Sequence, residues 1–101
     1  MSSHLDISKI IDLMRENKKY FYEKFGVSKI GIFGSYAKGV QTEKSDIDIV
    51  IKMDKSKKTL HNFLEFKRYI ENITSKKVDL ATEESLKSHF ADSIKDEIYY
   101  V

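Results

Sequence analysis

A small α/β domain, with a mixed β-sheet covered mainly by helices, is what this 101-residue sequence predicts. Three observations carry that expectation. Apolar residues at helical spacing alternate with short β-rich runs in the order helix–strand–strand–helix–strand–helix, a pattern of helices packed on a sheet. A chain of this length holds one core and buries roughly 60–70% of its unfolded surface, so residues 1–101 are expected to form a single domain. No repeat, linker or low-complexity segment interrupts it.

Ile7, Ile10, Ile11, Met14, Phe21 and Phe25 recur close to helical spacing, which predicts one long amphipathic helix. Gly26 follows, where a left-handed helix stop is expected. Val27–Phe33 then switches to β-rich residues, with Ile30 and Ile32 on one face and Lys29, Gly31 and Phe33 on the other. Gly34-Ser35 interrupts that strand, Tyr36-Ala37-Lys38 is long enough for one helical turn, and residues 39–45 are polar enough for a loop. Residues 46–52 predict a second strand. From Ser56 or Thr59 onward, Leu60, Phe63, Leu64, Lys67, Ile70 and Ile73 predict a second amphipathic helix, to which Lys67 lends its aliphatic stem. Phe63 and Phe66 cannot both be equally buried on it. Residues 77–81 predict a third strand, and Thr82 before Glu83-Glu84 fits a helix N-cap with acidic residues in the first turn. The helix after it would carry Leu86, Phe90, Ile94 and Ile98, and Tyr99-Tyr100-Val101 ends the chain as a small strand or a surface patch. Strand order is left open.

Composition excludes several classes of function. With no cysteine there is no disulfide, thiol nucleophile, cysteine-type zinc site or iron–sulfur cluster, and a cytoplasmic protein is expected. The first six residues reach Asp6 without a basic-then-apolar pattern, and no apolar run approaches the ~18 residues of a membrane span. A net charge of +2 arises from 18 basic residues against 16 acidic ones scattered along the chain, so neither nucleic-acid nor membrane binding is expected. The densest basic stretch, 52–58, reads as a solvated loop and helix start. His4, His61 and His89 are too widely spaced for a local metal motif. Tyr20, Tyr22, Tyr99 and Tyr100 read as ordinary packing, with a partner surface or an adenine stack as the other option.

The informative segment is Asp46-Ile47-Asp48-Ile49-Val50-Ile51. Aspartate is depleted in strands, and two positions apart on a strand means the same face, so Asp46 and Asp48 project side by side while Ile47, Ile49 and Ile51 enter the core. Two carboxylates that close repel unless water screens them or a hard divalent cation lies between them, and magnesium is the first choice. A wet strand end explains the pair taken alone equally well. Gly34-Ser35, where a strand ends and a helical turn begins, offers free backbone N–H groups, a hydroxyl and no obstructing side chain to a phosphate, although the dipeptide alone reads as a turn. Asp79 is a third carboxylate in a strand-like Val-Asp-Leu. If its strand lies beside the second, a three-carboxylate site forms, with the parts needed for metal-assisted phosphoryl or nucleotidyl transfer.

Gly34-Ser35-Tyr36-Ala37-Lys38-Gly39, then Thr42, then 45–51 as Ser-Asp-Ile-Asp-Ile-Val-Ile, resembles the signature of the DNA polymerase β-type nucleotidyltransferase superfamily. With the preceding Ile30-Gly31-Ile32-Phe33 and the later Val78-Asp79-Leu80, the chain most resembles the minimal nucleotidyltransferase (MNT) branch, from about Ile30 to its end. The resemblance implies a polymerase β-like nucleotidyltransferase fold. It implies that Gly34 and Ser35, with Ser45, hold a nucleoside triphosphate, ATP being the expected one. It further implies that Asp46 and Asp48 bind one or two magnesium ions, and that Asp79 completes the metal site and helps activate the attacking hydroxyl. Small MNT proteins are similar to the antitoxin half of HEPN–MNT toxin–antitoxin pairs, in which AMP passes from ATP to a tyrosine of a HEPN-type toxin and pyrophosphate is released. A magnesium-dependent protein adenylyltransferase, assembled with a HEPN-type toxin as a hetero-oligomer, is therefore the leading expectation. The alternatives are a catalytic module that modifies a small molecule such as an aminoglycoside with a second chain, and an antitoxin that acts by occlusion without catalysis.

Overall fold

The computed structural model describes residues 6–90 and 98–101, apart from the side chains of 87–90. Its elements run α1 (Ile7–Glu16), α2 (Lys18–Phe25), β1 (Val27–Phe33), α3 (Gly34–Lys38), β2 (Ile47–Met53), a 3-10 turn (Lys55–Lys57), α4 (Leu60–Thr74), β3 (Val78–Thr82), α5 (Glu83–Phe90) and β4 (Tyr99–Tyr100). The sheet order is β3-β2-β1-β4, with β2 and β3 parallel and both other pairings antiparallel. This is the mixed sheet the sequence predicts. Parallel neighbours need a long crossover, and α4 supplies it between β2 and β3.

Strand alternation divides the sheet into two chemically different faces. Ile30, Ile32, Ile47, Ile49, Ile51 and Val78 are all buried and point into one core with Ile10, Met14, Phe21, Phe25, Phe66 and Ile70 of α1, α2 and α4. At its centre Phe21 meets Phe66 edge-on, ring centroids 5.0 Å apart and planes at 89°, a favoured aromatic geometry. The opposite face carries Asp48 and Val50 of β2, with Gly31 and Phe33 of β1 and Asp79 and Ala81 of β3 at the matching register positions. Ile98 and Tyr100 pack over Gly31 on this second face.

Three details differ from the sequence expectation. The first helix is two helices. Asn17 (φ −107°, ψ 7°) ends α1 and precedes α2, and its side-chain amide donates to the Leu13 carbonyl at 2.8 Å, so asparagine competes with the regular backbone ladder. The buried stripe of α4 is also rotated. Phe66 and Ile70 are fully buried and Phe63, Tyr69 and Ile73 pack beside them, whereas Leu60 is 73% exposed and Leu64 39%. The large aromatic Phe66 fills the space facing Phe21 and turns the smaller leucines outward. Phe63 is only partly buried, as the spacing of the two phenylalanines requires. The strands, finally, begin one residue later than expected, at Ile47 and Val78.

The expected caps form. Gly26 adopts φ 73° after α2, the Thr59 hydroxyl accepts the Asn62 N–H at 3.1 Å, and the Thr82 hydroxyl accepts the Ser85 N–H at 3.3 Å. Tyr99-Tyr100 forms the small strand, pairing with Ile32 and Gly31. His4 and Ile94 lie outside the described residues, as do the side chains of His89 and Phe90. Among the described residues, no helix is long and apolar enough to cross a membrane.

Candidate active site

The site is built where β1 ends and β2 and β3 begin. Antiparallel pairing puts Phe33, the last residue of β1, opposite Asp48. Parallel pairing puts Asp79 opposite Asp48 on the other side. Adjacent strands lie about 4.8 Å apart, so Asp48 and Asp79 are immediate neighbours on one face. Asp46 precedes β2 by one residue, where the Ile47 N–H donates to the Lys77 carbonyl at 2.9 Å and locks β2 to the entry of β3. Asp46 and Asp79 are exposed, and Asp48 is half-buried between them.

Asp48 feels the other two carboxylates. Burial first, then the charges of Asp79 and Asp46, push the Asp48 carboxyl up from 3.8 to about 6. Between about pH 4 and pH 6 the folded protein therefore holds a proton at Asp48 that the unfolded chain has already released. Stability falls as pH rises from about 4 to about 6, and above that the full penalty is present. Asp48→Asn removes the penalty. For a half-exposed group it amounts to about 1 kcal/mol, so without divalent cations the variant is expected to melt roughly 5 °C higher at pH 7.5. Below pH 4 the two proteins should melt together. Calorimetry across pH 4–8 checks this, and an unchanged difference at both ends would contradict it.

Gly34 lies directly against this carboxylate. It opens α3 with φ 72°, and a Cβ built there would overlap Asp48 Oδ2 and lie 2.9 Å from Asp48 Cγ. The space a side chain would fill is thus occupied by the Asp48 carboxylate, and only glycine admits both the backbone angle and the contact. Ser35 follows in the first turn of α3, and its carbonyl accepts the Val40 N–H at 3.0 Å. The structure brings together Gly34, Asp48 and Asp79, with Asp46 and Ser35 adjoining them in sequence.

Ser45 is engaged elsewhere. Its hydroxyl accepts the Thr42 N–H at 2.9 Å and its own N–H donates to the Thr42 carbonyl at 3.0 Å, so it closes the connecting loop on itself. Sequence reasoning had no signal for a second tether, from the Lys76 ammonium to the Glu43 carbonyl at 2.8 Å. Nor did it connect Tyr100 with α5. The Tyr100 hydroxyl donates to Glu83 at 3.2 Å, and the Lys29 ammonium lies 4.3 Å from the Tyr100 ring centroid and 3.4 Å from Glu83.

The donor set fits a hard cation. All three candidate ligands are carboxylates, the oxygen chemistry magnesium takes, and a cation there would offset the Asp79 and Asp46 charges that, after burial, raise the Asp48 carboxyl. Among the described residues, no three His, Cys, Asp or Glu side chains converge on one point as a metal cage.

Residues 14–101 match the family model described as the nucleotidyltransferase domain. The chain belongs to this family. It is a nucleotidyltransferase, and its sheet of four strands with covering helices is the minimal nucleotidyltransferase fold. Relatives extend over nearly its whole length. A protein adenylyltransferase, MntA, of Thermococcus cleftensis is 37% identical over 96% of this chain and 97% of its own. A Methanocaldococcus jannaschii protein provisionally named protein adenylyltransferase MJ1379 is 39% identical over 94% and 97%. Among solved structures, a minimal nucleotidyltransferase superposes with a TM-score of 0.77 at 24% identity, covering 97% of this chain and 98% of that one. A toxin–antitoxin structure containing AMP-PNP aligns with a TM-score of 0.50 at 29% identity, covering 80% and 60%.

Proposed function

We propose that this nucleotidyltransferase transfers AMP from ATP to a tyrosine hydroxyl of a HEPN-type toxin, with Asp46, Asp48 and Asp79 as magnesium ligands and Gly34 and Ser35 on the triphosphate. One observation carries the reading: Asp79 stands in register with Asp48 across parallel strands, with Asp46 two residues upstream and Gly34 closed against Asp48. The names of the relatives support protein adenylylation, and the toxin–antitoxin neighbour holding AMP-PNP supports both the nucleotide and the partner class.

Each residue has a distinct task. Gly34, lacking a side chain, lets the triphosphate approach the backbone next to Asp48, and the Ser35 hydroxyl and N–H donate to its oxygens. Asp46 and Asp48 would hold the magnesium ion, whose positive charge would draw the α-phosphate to this end of the site. Asp79 lies on β3, an edge of the sheet, and is exposed, so it can receive a hydroxyl arriving from outside and accept its proton. The phenolic oxygen forms a bond to the α-phosphorus as the bond to the β-phosphate oxygen breaks, and pyrophosphate departs. Bound magnesium would offset the negative charge that develops on the phosphates. Residues 1–101 act as one catalytic domain, and the partner supplies the wall that so small a domain lacks. The absence of cysteine favours the cytoplasm as the place where it works.

Metal and nucleotide dependence test the reading. Transfer to the partner should cease in EDTA, return when excess Mg2+ is added, and run faster with ATP than with GTP, CTP or UTP. Undiminished transfer in EDTA would overturn the metal assignment, and equal rates with all four nucleotides would overturn the choice of ATP.

A further inference from the structure

Asp48 arrives on β2, Asp79 on β3, and Asp46 at the end of the loop that runs from Gly39 to the start of β2. Such a site works only if the loop that delivers Asp46 keeps its place relative to the strand that delivers Asp79. We infer that Lys76 is a positioning residue that does this, by fastening the Asp46 loop to the entry of β3. The inference rests on the proposed use of Asp46 and Asp79 as metal ligands, and goes beyond it by assigning a residue that neither ligates nor touches the nucleotide.

The contacts form a connected frame. At its start the loop is held by the Val40 N–H on the Ser35 carbonyl, 3.0 Å. In its middle, Thr42 and Ser45 close a turn through the bonds of 2.9 and 3.0 Å described above, and the Lys44 N–H donates to the Thr42 hydroxyl at 3.3 Å. These bonds fix the shape of the turn and leave its location undetermined. The Lys76 ammonium adds a hold on the location beyond the backbone bond at Ile47, because it reaches from three residues before Asp79 to the Glu43 carbonyl, three residues before Asp46. The second bond between the same segments, from the Ile47 N–H to the Lys77 carbonyl, belongs to the backbone and cannot be altered by a side chain. Lysine suits the task, since a charged donor to a carbonyl makes a stronger bond than a neutral one and its long stem spans from β3 to the loop.

Lys76→Met keeps the stem and removes the donor. Lys76→Arg keeps a donor. Lys44→Met removes a neighbouring charge from the same loop, where among the described residues only the Lys44 backbone is bonded, and so separates a tether from a general electrostatic effect. Two measurements are needed: amide hydrogen exchange over residues 43–47, and Mn2+ binding by calorimetry without nucleotide or turnover. Exchange in Lys76→Met is expected to be roughly 10-fold faster over that segment, with unchanged exchange in the core strands. Mn2+ affinity should fall roughly 10-fold, the usual effect of losing a residue that orients ligands. Lys76→Arg should restore both, and Lys44→Met should change neither. The inference is overturned if Lys76→Met exchanges and binds Mn2+ as the unaltered protein does, or if Lys44→Met weakens Mn2+ equally. Should the unaltered protein bind no Mn2+, the metal reading fails instead, and hydrogen exchange alone decides whether Lys76 holds the loop.

Discussion

Gly34→Ala is expected to lose at least ~100-fold in transfer rate, the scale on which catalytic groups respond to displacement by an ångström, while remaining folded. A left-handed backbone costs an alanine about 1–2 kcal/mol, or roughly 5–10 °C in melting temperature for a domain of this size. The added Cβ also overlaps the Asp48 carboxylate, and every atom it meets within 3.2 Å belongs to that side chain. The low-energy relief is rotation of Asp48 away from Gly34. That spares the fold and dismantles the site. Gly39→Ala is the matched control, because Gly39 has the same φ of 72° and nothing within 4 Å of a built Cβ. Both variants should lose similar stability, and only Gly34→Ala should lose most of its activity. Equal activity losses would assign the effect to backbone strain and detach Gly34 from the Asp48 site.

The second large effect is expected from the double variant Asp46→Asn/Asp48→Asn. Removing both charges takes away most of the electrostatic hold on a divalent cation, and loss of metal-assisted stabilisation worth several kcal/mol slows transfer at least ~1,000-fold. Fold and partner binding should survive. In the cation-free protein, stability at neutral pH should rise, since burial and two neighbouring carboxylates disfavour the charged form of Asp48. Such a pairing of higher stability with lost function is the signature of a side chain kept for chemistry rather than packing.

Much of this site was legible in the sequence because its logic is periodic. Aspartates two apart among isoleucines are legible as a pair, although β2 begins at Ile47, so Asp48 lies in the strand and Asp46 just before it. Gly34, likewise, is readable where a β-rich run stops. Asp79 was legible as a residue but not as a neighbour, because strand order depends on the crossover through α4, and no local pattern encodes which edge it reaches. The limits elsewhere have similar causes. The break at Asn17 comes from one side-chain amide competing with the backbone ladder, a local event invisible to a 3.6-residue period. The rotation of α4 was decided by Phe66 meeting Phe21 across the core. Ser45 stands in the right motif, yet its hydroxyl is turned to Thr42, and Lys76 carries no motif at all. Side chains that act by holding backbone are chosen by tertiary proximity, and spacing along the chain does not reveal them.

The most direct test of the central claim is the intact mass of a candidate HEPN-type partner after incubation with this protein, ATP and Mg2+. The same reaction is run in parallel with Asp46→Asn/Asp48→Asn. A gain of one or more AMP units on the partner, located to a tyrosine by fragmentation and absent with the double variant, is the predicted result. An unchanged partner mass, from folded proteins that bind each other in the presence of ATP and Mg2+, would contradict it and favour neutralisation by occlusion.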